Sequence, residues 1–237
     1  MMFNTLSTLL LIPVLLPQGI WVRMTTPRLP EAEGPRFGSI GSGPAIKVLI
    51  LGDSAAAGVG VESQSQALSG QLVARLAKRY TVNWRLEANT GDKTQDVLSR
   101  LATMDAETFD VVITSIGVND VTSSVQPQEW KKQQSALVRT LRTKFSASRI
   151  LMTVVPPMNA FPALPQPLRW CLGHRAYELN VQLATLVKEH SWCELVEPGF
   201  ELDSALMASD GFHPGPELYK QWAETLARCI TGDKSFG

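Results

Sequence analysis

An α/β fold, a parallel sheet with helices on both faces, is what this sequence predicts, on three observations. Runs of β-branched and aliphatic residues with few polar interruptions recur along the chain, as strands buried on both faces require. Between them, apolar residues return at helical spacing, and strands alternating with helices build parallel sheets. The turns that end the strands carry Ser, Gly and Asn, and a His precedes the last helix. All fall where open α/β sheets bind ligands, at the carboxyl edge.

At the amino terminus, the stretch Phe3 to Val22 has no charged residue, and roughly 20 residues suffice for a membrane-spanning helix. Trp21 and Arg23 suit an interface. No Lys or Arg precedes the apolar run and no Ala-x-Ala site follows it, so an uncleaved membrane anchor over residues 1–23 is expected rather than a signal peptide. Pro13 and Pro17 would kink it. A leader packed elsewhere or removed is the alternative. Arg23, Arg28 and Arg36 follow the segment, which leans the domain toward the cytoplasmic face; a periplasmic or secreted location is the other possibility. Residues 24–44 contain Pro27, Pro30, Pro35 and Pro44 with Gly34, Gly38, Gly41 and Gly43, the composition of a linker. The folded domain is therefore expected to span 45–231, followed by a tail at 232–237.

The first strand runs from Ile46 to Gly52. Leu68, Leu72, Val73, Leu76 and Tyr80 predict a helix over 64–80. Val82, Trp84, Leu86 and Ala88 alternate with polar residues as a second strand. Thr94 is positioned to cap a short helix carrying Val97 and Leu101. Asp110 to Ile116 is a third strand, and Pro127 to Lys144 a helix with Trp130, Leu137 and Leu141 inward. Arg149 to Val155 is a fourth strand. Pro156 to Pro167 holds five prolines with Met158, Phe161 and Leu164, an irregular segment of unusual apolarity. A helix over 169–190, a fifth strand over 192–196 and a last helix with Leu218, Trp222, Leu226 and Ile230 complete the domain.

Composition narrows the function. Lys plus Arg and Asp plus Glu number 22 each, so no net field draws nucleic acid. Cys171, Cys193 and Cys229 match no zinc spacing, and with three His in the chain a metal site is not expected. No cofactor is called for. Gly52-Asp53-Ser54 ends the first strand, and the small residues after it leave the Ser54 hydroxyl uncrowded. Gly91 and Asn119 follow the second and third strands, and Asp210-Gly211-Phe212-His213-Pro214 precedes the last helix.

These four blocks, in this order, resemble the SGNH/GDSL hydrolase family over about residues 45–230. Ala55 departs from the Leu of the family's name-giving motif. The resemblance implies a three-layer α/β/α sandwich with a flavodoxin-like, parallel five-stranded sheet, and a serine esterase with Ser54 as nucleophile. The residue chemistry agrees. A Ser hydroxyl attacks once a base takes its proton, and His213 is suited to that near neutral pH. Asp210, three residues earlier, is in reach of its Nδ1. The resemblance makes the backbone N–H groups of Ser54 and Gly91 and the amide of Asn119 the oxyanion donors. Asp53 and Asp120 read as loop-shaping acceptors. Met158, Phe161 and Leu164, with Leu168 and Trp170, are candidate walls or a lid for a small-molecule or lipid-like ester (or thioester) substrate of short or medium acyl length, or equally packing over the sheet edge. An O-deacetylase of carbohydrate or cell-envelope polymer uses the same groups. A non-catalytic flavodoxin-like binding module is the rival from another class.

Overall fold

The computed structural model describes residues 5–198 and 203–232, with backbone alone for 5–9. Phe3, at the start of the expected anchor, and positions 233–237 of the expected tail lie outside the described residues. Six strands form one sheet: β1 (Phe37–Ile40), β2 (Ala45–Gly52), β3 (Thr81–Ala88), β4 (Val111–Ser115), β5 (Arg149–Thr153) and β6 (Cys193–Val196). Their order is β1-β3-β2-β4-β5-β6. β3, β2, β4, β5 and β6 are parallel neighbours, and this five-strand portion has the flavodoxin-like order. The helices are α1 (Thr5–Thr25), α2 (Ser54–Ala57), α3 (Leu68–Leu76), α4 (Thr94–Thr103), α5 (Val118–Val121), α6 (Pro127–Thr143), α7 (Leu168–Lys188) and α8 (Pro216–Thr231).

Alternation along β2 sorts the core into two layers. Val48 and Ile50 pack with Leu68 and Leu72 of α3 and with Tyr219, Trp222 and Leu226 of α8. Leu49 and Leu51 pack with Leu101 of α4, Trp130 and Leu137 of α6 and Leu179 of α7. All four β2 side chains are buried, which explains why this strand carries no alternation of polarity. The predicted three-layer sandwich is what forms.

The strand count is corrected from five to six. β1 lies inside the stretch read as linker and pairs antiparallel with β3, Phe37 opposite Arg85 and Ile40 opposite Val82. Its four residues are exposed and fall between Pro35 and Pro44, so the prolines bound the strand without interrupting its hydrogen bonds, as an edge strand allows. Composition marked the prolines; nothing in four exposed residues marked the pairing. The helix predicted over 64–80 is shorter at both ends. Gln64 is buried in the preceding turn, where its amide donates to the carbonyls of Ala32 and Ala57 and accepts from Ser69 Oγ.

The expected membrane anchor over residues 1–23 begins outside the described residues, and the rest of it is α1. Among the described residues no helix is long and apolar enough to cross a membrane. α1 contains Pro13 and Pro17 and has Arg23 in its last turn. Its carboxyl half docks on the domain. The Gln18 amide donates to the Gln166 carbonyl (2.6 Å) and accepts from the Leu168 N–H (3.1 Å), and Val22 is buried in the core layer beneath α7.

Candidate active site

Ser54 stands where β2 gives way to α2, at the position where connections leave the central strand in opposite directions. Gly52 makes that exit possible: a Cβ there would sit 2.4 Å from the Ser115 carbonyl oxygen and 2.5 Å from the Ala56 Cβ. Asp53 caps α2, its carboxylate accepting from the Ala55 N–H at 3.1 Å. Burial raises the Asp53 carboxyl from the ordinary 3.8 to about 7, partly offset by the Ala55 N–H and the nearby His213.

The loop before α8 brings its two titratable groups to this point. Ser54 Oγ lies 2.8 Å from His213 Nε2, and His213 Nδ1 lies 2.5 Å from Asp210 Oδ2. Asp210 Oδ1 accepts from the backbone N–H groups of Phe212 (2.9 Å) and His213 (3.0 Å). Burial pushes the Asp210 carboxyl up, but these bonds and the imidazole together bring it below the usual carboxylate range. An ionised Asp210 holds the proton on Nδ1, which leaves Nε2 free to accept from the Ser54 hydroxyl.

Gly91 and Asn119 line the same cavity as Ser54 and His213. Gly91 has φ +89°, and a Cβ there would meet no atom within 4 Å; the backbone conformation, rather than crowding by the protein, is what asks for glycine. The Ser54 and Gly91 N–H groups have no partner among the described residues. Asn119 Nδ2 donates one hydrogen to the Asp92 carbonyl at 2.9 Å, which fixes the amide, and a second hydrogen remains. Asp120 is buried beside it and accepts from Thr94 N (3.1 Å) and Thr94 Oγ1 (2.9 Å). Thr94 Oγ1 in turn accepts from Trp130 Nε1 and Gln134 Nε2. Asp53 and Asp120 thus shape loops, as their sequence context suggests.

The cavity measures about 310 Å³ and is walled largely by Ile116, Val118, Val154, Val155, Met158 and Phe161. Phe161 meets Phe212 edge-on, ring centres 5.6 Å apart. Of the predicted wall, Met158 and Phe161 are present. Leu164 and Leu168 are corrected: neither lines the cavity, and both are packed in the core layer that also holds Met158 and Phe161. Trp170 is half exposed on an outer groove with His174 and Tyr177.

Sequence reasoning missed the supports. Tyr219 Oη, fully buried, lies 2.9 and 2.7 Å from the Ala55 and Val59 carbonyls and ties α8 to the Ser54 turn. Glu31 Oε1 accepts from Thr90 N (2.7 Å) and Thr90 Oγ1 (2.8 Å) and so holds the Gly91 turn. Neither residue stands in a pattern that marks it. Among the described residues no cluster of His, Cys, Asp and Glu is placed to hold a metal.

Known proteins resemble this chain in sequence profile and in fold. The GDSL-like lipase/acylhydrolase family profile matches residues 50–221, and no curated protein sequence matches the chain. Among solved structures, TesA aligns with TM-score 0.64 and 20% identity over 78% of this chain and 98% of its own. A lipolytic G-D-S-L family protein from Veillonella parvula gives 0.63 and 16% over 79% and 99%. A carbohydrate esterase family 2 enzyme from Corynascus thermopiles gives 0.66 and 13% over 81% and 67%. At these identities the structures speak to the fold.

Proposed function

The chain belongs to the GDSL-like lipase/acylhydrolase family as a carboxylic ester hydrolase, and we propose that it works through an acyl-enzyme on Ser54 with apolar acyl groups as substrates. The observation that carries this reading is the unbroken hydrogen-bond chain Ser54–His213–Asp210 opening on an apolar cavity. As Ser54 Oγ attacks the ester carbonyl, His213 Nε2 takes its proton, and Asp210 stabilises the imidazolium that forms. Negative charge then develops on the former carbonyl oxygen, where the Ser54 and Gly91 N–H groups and the Asn119 amide donate; each such donor is worth about 3 kcal/mol. Collapse expels the alkoxide, protonated by His213. Water attacks the acyl-enzyme by the same steps in reverse roles and releases the acid.

The apolar walls favour short to medium acyl chains, as esters or thioesters. A second reading, O-deacetylation of a carbohydrate, draws on the outer groove. There, exposed Trp170 and Tyr177 stand beside the cavity, and the two share Val154, Val155, Pro157 and Pro198. The fold neighbour described as a carbohydrate esterase points the same way. Turnover of p-nitrophenyl esters of graded chain length, beside an acetylated sugar, tests both. The first reading expects kcat/KM to rise from acetate to medium chains. Highest activity on the acetylated sugar favours the second, and no hydrolysis of any ester overturns both.

A further inference from the structure

Among the described residues, twelve large apolar side chains stand exposed, and seven of them belong to α1, so the feature is local to this helix. α1 gives one row to the domain: Leu15 packs against the core, Gln18 bonds to Gln166 and Leu168, and Val22 is buried. That spacing of three and four residues is a single helical face. Two further rows are left open. Leu16, Ile20 and Met24 follow one another at intervals of four, and Leu10, Val14 and Trp21 at four and seven; each is at least 45% exposed. At 3.6 residues per turn, these two rows sweep roughly half the helix circumference. From Thr5 to Val22 no residue is charged, and the only charged side chains before Glu31 are Arg23 and Arg28, both exposed.

Contiguous apolar surface left in water is unfavourable and marks a place of contact. A second protein helix would cover one stripe of about 100°, narrower than the two open rows. A lipid boundary has no such limit, because acyl chains surround every side chain that reaches them. An interfacial helix ordinarily turns a charged face to water and an apolar face to lipid; here the domain occupies the place of the charged face. The carboxyl end of α1 agrees. Trp21 is of the type enriched at membrane–water boundaries, and Arg23 and Arg28 complement anionic headgroups. The prolines decide the depth. Pro13 and Pro17 lack the N–H that a helix interior uses, and water can serve the freed carbonyls at headgroup depth but not within hydrocarbon.

We propose that α1 lies along the surface of an anionic bilayer without crossing it, its two open rows seated at the boundary between headgroups and acyl chains. This seating is independent of the esterase reading. It also brings lipid close to the acyl cavity. α1 is fastened to Gln166 and Leu168, at the end of the segment that carries the cavity walls Met158 and Phe161.

The test is flotation of the full chain with vesicles of phosphatidylcholine and phosphatidylglycerol, followed by extraction in alkaline carbonate. Wild type is expected to float and to be released by carbonate. Leu16→Glu and Ile20→Glu should each lower the bound-to-free ratio by about tenfold or more, the factor that burial of one such side chain supplies, with thermal midpoints near wild type. Quenching of Trp21 emission by brominated acyl chains, taken as the difference between wild type and Trp21→Phe, reads the same contact without adding a charge. Wild type left behind by the vesicles overturns the inference, as does binding that neither Glu substitution weakens. Retention after carbonate extraction means a spanning segment and overturns it too. A lipid-free homodimer that both substitutions dissociate assigns the open rows to a second copy and has the same consequence.

Discussion

Two sides of this site are built differently. The Ser54–His213–Asp210 side is held from inside: Asp210 and Tyr219 are buried, Asp210 of the same short loop holds the imidazole, and Tyr219 of α8 ties down the Ser54 turn. The Gly91–Asn119 side is held partly from outside. Gly91 and Thr90 are exposed, and the Gly91 turn is fastened by Glu31, from a stretch whose composition reads as linker, and by the Arg100–Asp92 pair. Its inner anchor is the buried Asp120–Thr94–Trp130 network. The contrast teaches that residue chemistry marks a site in sequence, whereas the contacts that aim it come from residues of ordinary type.

Breaking the first side has the largest expected effect. His213→Ala should lower kcat by about 10⁴-fold or more while the thermal midpoint stays near wild type, because it removes proton transfer and little packing; a rate within tenfold of wild type removes His213 from the role of base. On the second side, Asn119→Ala should cost about 10²–10³ in kcat with a smaller change in KM. An unchanged kcat excludes Asn119 as an oxyanion donor.

Stability separates the two sides further. The Asp53 carboxyl titrates near 7 in the folded chain against 3.8 ordinarily, because burial disfavours its charge. Below pH ~4 it is protonated folded or unfolded, and burial carries no penalty. As pH rises toward 7 the unfolded chain ionises first, so folding loses stability, and above 7 the full penalty applies. Asp53→Asn keeps an oxygen for the Ala55 N–H and should stabilise the protein by up to about 4 kcal/mol at pH 8, with a smaller gain at pH 5. Urea midpoints at the two pH values decide this, and equal gains contradict it. Tyr219→Phe removes the one hydroxyl hydrogen shared by the Ala55 and Val59 carbonyls and should lose about 1–3 kcal/mol, read from the same denaturation curves. Glu31→Gln should have the smallest effect, a severalfold fall in kcat with under about 1 kcal/mol of stability. A loss as large as that of Asn119→Ala would erase the contrast between inner and outer support.

Much of this was legible before any coordinates. Strands such as Ile46 to Leu51 announce themselves because burial on both faces admits only apolar residues. Ser54, His213 and Asp210 are legible because nucleophile, base and orienting carboxylate must be those residue types. β1 was not legible, since four exposed residues on a sheet edge satisfy no pattern. The fate of α1 was hidden too: Gln18 docks on Gln166 and Leu168, about 150 positions away, and no local signal encodes that. Leu164 shows the converse ambiguity: an apolar residue in an apolar loop reads equally as wall or as packing, and here it packs inward.

Labelling with a fluorophosphonate, followed by intact-mass measurement and peptide mapping, tests the central assignment most directly. Wild type should gain one phosphonyl group, mapped to Ser54, and Ser54→Ala should gain none. A wild-type chain that stays unlabelled, or an adduct mapped to another residue, contradicts the account.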